Sequence, residues 1–570
     1  MAKIELPPRK KVRHLTLLRE SRAITPQEFN ALAFEERMEM VRVAHGRQKY
    51  DLILDARDAE RLVQRLPAQE VYLLIKELGS EDVPELLALA STEQFTAFLD
   101  LDCWKEDILD GEACLRWLQP LLDGDDEERV LRMALELDLE LLALMMQKWV
   151  TVTFGPEDYG DDEEMQAALA GSGGYQLEYR DSESAKLVGG FLELLFRRVP
   201  EFYGRLLQGV RWEMTSPLEE TVYRFRAGRL LDRGFPDPFE SLAIYSYFAP
   251  ESFEADRCRK VAVEPGERGV EAPGFVLTAA SPRDLLAEIV AGGVGPEICW
   301  ELTYLINKAM SADRVDVGDV SQVEAGAGTV YRYLNIALEH LSGGDLGKAQ
   351  DLFDGVGLEY LFRLGFSLTL DLQQRSRKVR RSALGPYLDG PFRALVAGLD
   401  RKKPQFFSGI EDESRGGERP FANLSDLSRA GQWLDRLEVQ QRLFEERFPF
   451  ELPVPEALCL EGCLPDAGED VALSEIFLTA LANRILGRDF LPTPIPEEEI
   501  AALHARACAG GKVVEDLRRE TVQWLDSLEP GSGAFGAYCL DLWEEEFCSL
   551  RPDQLDPRYV GGIIVRLGPA

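Results

Sequence analysis

Residues 55–102 read DARDAERLVQRLPAQEVYLLIKELGSEDVPELLALASTEQFTAFLDLD, and one pattern recurs in them four times. Ala59, Leu62, Val63 and Leu66 stand at i, i+3, i+4 and i+7, the spacing that lines one face of an α-helix. Val71, Leu74, Ile75 and Leu78 repeat it, as do Val83, Leu86, Leu87 and Ala90. The fourth copy, Phe95, Phe98, Leu99 and Asp102, keeps the spacing but ends on a carboxylate. The copies start at 59, 71, 83 and 95, a period of 12 residues. At about 1.5 Å of rise per residue, that period holds a helix of roughly two to three turns and a short turn. Helices below about 12 residues are marginal in water, so each must bury its face on its neighbours, as stacked repeats do. The joints agree: Leu66-Pro67, Gly79-Ser80 and Ser91, the last with Gln94 three residues on, supply a helix-start proline and N-cap hydroxyls. The expectation is a small right-angled stack of short helices. For the whole chain it is a mainly α fold, a multi-helix solenoid-like assembly with a few short strands.

The Leu-Pro and Leu-x-x-Leu rhythm from Leu62 to Leu101 resembles the cytosolic N-terminal superhelix of MgtE-type magnesium transporters. That resemblance implies a helical platform. The paired regulatory domains and membrane spans that follow in the transporters have no counterpart in this sequence, so no metal ligands are carried over from it. Over nearly its full length, including SPLEETVYRFRAGRLLDRGFPDPFESLAIY from Ser216 to Tyr245, the chain resembles an uncharacterised bacterial family known as a domain of unknown function. This second resemblance implies no activity.

Asp and Glu number 100 against 64 Lys and Arg, a net charge of −36 over 570 residues. So acidic a surface disfavours nonspecific binding to nucleic acid or anionic membranes. With 45% hydrophobic residues the chain has the material for packed cores and is not a disordered acidic polymer. The first 20 residues, MAKIELPPRKKVRHLTLLRE, are basic but lack the roughly 7 to 15 apolar residues of a signal peptide. The apolar stretch 358–372 is interrupted by Glu359, Arg363 and Asp371 and falls short of the roughly 20 residues a membrane span requires. Nine cysteines without a compact framework read as reduced thiols. A cytoplasmic protein without membrane insertion is expected.

The expected organisation is a basic N-terminal arm and helix at 1–57, the repeat stack at 58–150, a helical middle domain at 151–255 and a linker or surface excursion at 256–280. A helical domain with a basic patch at 281–410 and a C-terminal helical region at 411–570 follow. Single helices are expected at 26–42, capped by Thr25 and Glu28, along the 131–146 stripe of Leu135, Leu139, Leu142 and Met146, and from 496 to the Gly510-Gly511 pair. Residues 149–154 read as a short strand or a last helical turn. The acidic runs at 123–128 and 157–164 lack the spacing of a calcium loop and read as solvated loops.

Few residues offer chemistry. The four histidines, His14, His45, His340 and His504, share no metal-binding spacing, and Cys459-x-x-x-Cys463 has no second pair at zinc-site distance. The run 342–349 approaches a phosphate loop, but Ser342 stands for its first glycine and Ala349 for its magnesium-binding hydroxyl. No catalytic residue, cofactor or metal ligand is assigned. Two cationic clusters are candidate contacts for a partner or an anion. One is Arg224, Arg226 and Arg229, with Arg233, on a helix begun by Ser216-Pro217. The other spans 375–403, where Arg375, Arg377, Lys378, Arg380, Arg381, Arg393, Arg401, Lys402 and Lys403 face only Asp389 and Asp400. No interleaved aromatics accompany it, which argues against base stacking and nucleic acid. For both clusters, internal pairing with the surplus carboxylates is the first structural expectation. The functional expectation is a non-enzymatic scaffold or adaptor that binds protein partners through the stack and the basic patch, with a homo-oligomer admissible. The alternative is an enzyme or receptor for a small anionic ligand, its site assembled from distant residues.

Overall fold

The computed structural model describes residues 25–122, 124, 126–154, 174–260, 284–388, 390–412, 416–458, 460–552 and 555–568. The basic arm with His14, the acidic loop at 157–164, the expected linker from 261 to 280, Asp389 and Cys459 lie outside them. The described chain is mainly α, with strands of two to five residues. It divides into two compact units, Met1–Ser246 with Phe253–Arg363, and Tyr247–Ser252 with Leu364–Ala570.

In unit 1 the expected helix 26–42 is two helices, α1 (Pro26–Ala31) and α2 (Phe34–Val43). Thr25 and Glu28 form the capping box of α1. The chain then goes extended at Leu32 and Ala33, and the Glu36 carboxylate accepts from the Ala33 N–H to start α2. Next come α3 (Gly46–Leu54), α4 (Ala59–Arg65), α5 (Ala68–Leu78), α6 (Pro84–Leu89), α7 (Thr92–Asp102) and α8 (Gly111–Leu122). The apolar positions of the four repeated faces are all buried except Ala59 and Leu78, which are partly so. Each helix packs on the next but one. α5 lies against α3 and α7, and α6 against α4 and α8, so the structural repeat is a helix pair, twice the sequence period.

Polar side chains close this stack. The last carbonyls of a helix have no intrahelical donor. At the end of α4 the buried Gln94 amide donates to the Val63 and Leu66 carbonyls, at 2.7 and 2.8 Å. One structural repeat later, at the end of α6, Arg129 donates to the equivalent carbonyls of Leu87 and Ala90. Asp102, the carboxylate that breaks the apolar pattern, accepts from Tyr72 Oη at 3.0 Å, Lys76 Nζ at 2.9 Å and Trp117 Nε1 at 2.7 Å. It thereby joins the end of α7 to α5 and α8.

The 131–146 stripe is likewise two helices, α9 (Glu127–Glu136) and α10 (Leu139–Gln147), and the break at Leu137 turns Leu135 out to solvent. Val150–Phe154 is a strand, paired antiparallel with Tyr175–Tyr179. Then follow α11 (Ser182–Arg198), capped by Asp181, α12 (Pro200–Trp212), α13 (Thr215–Asp232) and the short α14 (Pro238–Ser241). Further on are α15 (Leu285–Ala291), α16 (Pro296–Asp313), α17 (Val320–Ser342) and α18 (Leu346–Gly355). The phosphate-loop-like run is the turn between α17 and α18, with Gly343 and Gly344 at φ +65° and +88° and Asp345 capping α18. A fully buried amide pair links α16 to the stack: Gln69 and Asn307 exchange hydrogen bonds of 2.9 and 3.0 Å, and Asn307 also donates to the Arg233 carbonyl.

The division between the units falls inside α19 (Leu358–Arg381). Unit 2 continues with α20 (Gly390–Leu399), α21 (Leu424–Arg442), α22 (Leu473–Ile485), α23 (Ile500–Ala507), α24 (Glu515–Leu528) and α25 (Gly533–Trp543). Phe444, Phe448, Phe477 and Phe535 are packed at its centre. Val565–Arg566 pairs antiparallel with Cys463–Leu464 on one side and parallel with Ile495–Pro496 on the other. The helix expected from 496 to 510 starts at Ile500 and ends at Ala507. Its last residues form a hairpin, Cys508–Ala509 with Lys512–Val513, because Gly510 and Gly511 both take positive φ, as a two-residue hairpin turn needs. Cys508 is bonded to Cys548, which corrects the reading of all nine cysteines as thiols. No described helix is long and apolar enough to cross a membrane.

Replacing Asn307 by Ala strips the Gln69 amide of both partners and leaves the Arg233 carbonyl unpaired in a buried site. The expected cost is about 1–3 kcal/mol per orphaned group, read as a lowered urea midpoint by tryptophan fluorescence. In unit 2, Arg442, at 2.7 Å, and Arg447 hold the Glu529 carboxyl below its ordinary value of 4.5. Its contribution to stability is therefore complete above about pH 4.5 and is lost as pH falls through the lower folded value. Glu529→Gln should lower stability at pH 7 and flatten the acid limb of a melting-temperature profile between pH 5 and 3.

Candidate interaction surfaces

Helix α13 carries the first cationic cluster. Arg229 grips the fully buried Asp100 with two parallel bonds, Nε to Oδ2 at 2.7 Å and Nη2 to Oδ1 at 2.8 Å, and sends Nη1 to Asp138 at 2.6 Å. Arg226 donates Nε to the Asp100 carbonyl at 2.8 Å and lies over the rings of Trp104 and Tyr223 at 5.2 and 5.8 Å. Burial pushes the Arg226 guanidinium down and the Asp100 carboxyl up, the latter against the pull of Arg229. Arg224 pairs with Glu220 one turn back on the exposed side. Arg233 donates to the Arg229 carbonyl and approaches Glu93 at 3.8 Å. Arg226 and Arg229 thus fasten α13 to the end of α7, while Arg224 stays on the surface.

In the second cluster Arg375 binds Glu438, at 2.9 Å, and Asp435, both on α21. Arg377 and Arg380 share Asp400, and Arg401 holds Glu418 at 3.0 Å. Arg393 donates to the Leu388 carbonyl at 2.9 Å. The partners from α21 and Glu418 lie beyond residue 403, so their negative charge is absent from the 375–403 stretch itself. Lys378, Arg381 and Lys402 are exposed and make no ion pair among the described residues. Lys378 and Arg381 stand three apart on α19, on neighbouring positions of one side. Asp400, held by Arg377 and Arg380, brings Lys402 to the same end of that helix.

A surface that periodicity did not single out lies on α13 itself. Its inner side buries Leu218, Val222 and Leu230. Its outer side presents Met214, Pro217, Thr221, Phe225, Gly228 and Leu231, all exposed and spaced three or four apart. Met214 is 74% exposed, Phe225 45% and Leu231 49%, and Trp212, at the end of α12, is 70% exposed. A helix apolar on both sides is one whose second side is normally covered. The signal available in the sequence was the lack of a single apolar face over 215–232.

Among the described residues no group of three or more His, Cys, Asp or Glu side chains could hold a metal ion. The model of a family described as "Family of unknown function (DUF6178)" matches residues 26–566, and the chain belongs to that family. No curated protein matches it, and no solved structure does.

Removal of Arg229 leaves Asp100 a buried charge without its ion partner. Arg229→Ala should cost about 3–5 kcal/mol, whereas Arg224→Ala, on the surface, should change stability by less than about 0.5 kcal/mol. Parallel urea titrations of the two variants provide the check.

Proposed function

We propose that this member of the DUF6178 family is a cytoplasmic, non-enzymatic scaffold or adaptor that holds protein partners on the side of its helical stack and at its basic patch. The observation that carries the reading is the second apolar side of α13. This helix packs on α7, the last helix of the repeat, so its outer stripe of Met214, Phe225 and Leu231 extends the surface of the stack. Exposed apolar stripes of this length on a helix suit an amphipathic helix of a partner, which supplies matching side chains at the same spacing. The sequence rhythm from Leu62 to Leu101, which resembles that of the MgtE N-terminal superhelix, supports a platform of this kind and brings no magnesium ligands with it.

At the patch, Lys378, Arg381 and Lys402 remain after internal pairing has used Arg375, Arg377, Arg380 and Arg401. Three exposed cations without an ion pair among the described residues, on a protein of net charge −36, suit an acidic segment of a partner. The contact they make is salt-dependent, because exposed charges are screened beyond about 8 Å at physiological ionic strength.

Affinity purification from the native cells with crosslinking and mass spectrometry tests both surfaces. Phe225→Asp with Leu231→Asp should remove the proteins crosslinked to α13, and Lys378→Glu with Arg381→Glu those crosslinked to the patch, each by at least tenfold and with an unchanged melting temperature. Retention of every partner by both variants at the wild-type level would refute the reading.

A further inference from the structure

We infer that Cys508 and Cys548 form a reversible thiol–disulfide exchange site that sets how firmly the segment leading to Val565–Arg566 is held in unit 2. The two sulfurs differ in access. Cys548 is 1% exposed, whereas Cys508, at the end of α23, is only partly buried, so a reductant meets Cys508 first. Cys103, Cys114, Cys258 and Cys463 are buried thiols, and Cys299 is a partly buried one. Cys103 and Cys114 even share a hydrogen bond without being joined, and burial raises the Cys103 thiol and keeps it unreactive. Among the described residues Cys508–Cys548 is joined, and one of its sulfurs is within reach of solvent.

The surroundings of the pair are built on one irregular element. Cys548 ends a π-helical turn, Glu544–Cys548, that continues α25. Glu544 of that turn accepts from Val513 N–H of the Cys508 hairpin at 3.1 Å and pairs with Arg518 at 2.8 Å. Glu546 of the same turn accepts from Gly561 N–H through its carbonyl, and a Cβ on Gly561 would stand 2.6 Å from the Glu546 carboxylate. Gly561 leads directly into Ile563, Ile564 and Val565, all buried, with Ile564 N–H donating to Thr479 Oγ1 at 2.9 Å. His504, one helical turn before Cys508 and 9% exposed, sits edge-on to Phe547, the neighbour of Cys548. Its Nε2 is buried without a hydrogen-bond partner in the disulfide form. A π turn, a disulfide and an unpaired buried imidazole nitrogen thus meet at the turn that holds both the hairpin, through Glu544, and Gly561, through Glu546.

In the exchange, one thiolate of a small dithiol attacks Cys508 Sγ, the S–S bond breaks, and its electron pair leaves on Cys548 Sγ, which takes up a proton. The second thiol of the reductant then displaces Cys508 Sγ, giving two protein thiols and one oxidised, cyclic disulfide. Two electrons and two protons pass to the protein, and the reverse reaction with an oxidised dithiol restores the bond.

The test uses the full chain in dithiothreitol and in its oxidised form, with thiol alkylation, peptide mass spectrometry and hydrogen exchange. The oxidised form should give a crosslinked 508–548 peptide. Dithiothreitol should remove it and raise exchange at least tenfold in 508–513 and 544–566, without change in 59–102. The Cys508→Ser, Cys548→Ser double variant should exchange at the reduced rate in both reagents. Alkylation of both cysteines after oxidation, or identical exchange in the two redox forms of the wild-type chain, would overturn the inference.

Discussion

Helices of six to twelve residues cannot stand by themselves, and the stack of unit 1 is organised around that constraint. The backbone entropy of fixing each turn is returned only when a helix finds a neighbour for its apolar face. Here the neighbour is the next helix but one, so α3, α5 and α7 support each other on one side and α4, α6 and α8 on the other. Short helices also have a large share of unsatisfied end groups, and a stack of them buries many. Gln94 and Arg129 answer that at repeat-equivalent carbonyls, and this accounts for a glutamine and an arginine amid apolar packing.

Long-range polar ties then fix what is packed on the stack. Asp100 and Asp102 lie two residues apart at the end of α7 and point to different partners, Arg229 of α13 and the Tyr72, Lys76 and Trp117 group. A carboxylate in such a place costs stability unless it is fully bonded, but once bonded it admits few alternative arrangements. The cationic residues of α13 are explained first by this fastening, and the outer side of the same helix is thereby presented in a fixed orientation.

The four-fold repeat was legible because its period depends on local spacing alone. The helices at 59–102 and the Thr25 capping box follow from short-range chemistry, whereas residues 149–154 read equally as a strand or a last helical turn until pairing with Tyr175–Tyr179 decided it. The breaks at Leu32–Ala33 and Leu137 were not legible, because apolar spacing continues across them in register and only tertiary packing decides the direction of the chain. The 375–403 patch was legible as a charge excess but not as a set of ion pairs, since its counter-charges Asp435, Glu438 and Glu418 come from elsewhere in the sequence. The Cys508–Cys548 bond has a sequence separation of 40, and no spacing rule points to it. Equally, the division inside α19 leaves no composition shift, because the helix runs through it.

The three-stranded sheet of unit 2 has a bearing on how the chain is made. Its middle strand, Val565–Arg566, is the last of the three in sequence, and the outer strands at 463–464 and 495–496 are hydrogen-bonded to it and not to each other. During synthesis both outer strands leave the ribosome well before the strand that joins them, with their polar edges unsatisfied and the pocket for Ile563, Ile564 and Val565 open. The stack of α3 to α8 is built from neighbours in sequence and can consolidate helix pair by helix pair as it emerges, whereas the sheet of unit 2 must wait for a distant segment. The interval between the two is the period in which the nascent protein most needs shelter from aggregation.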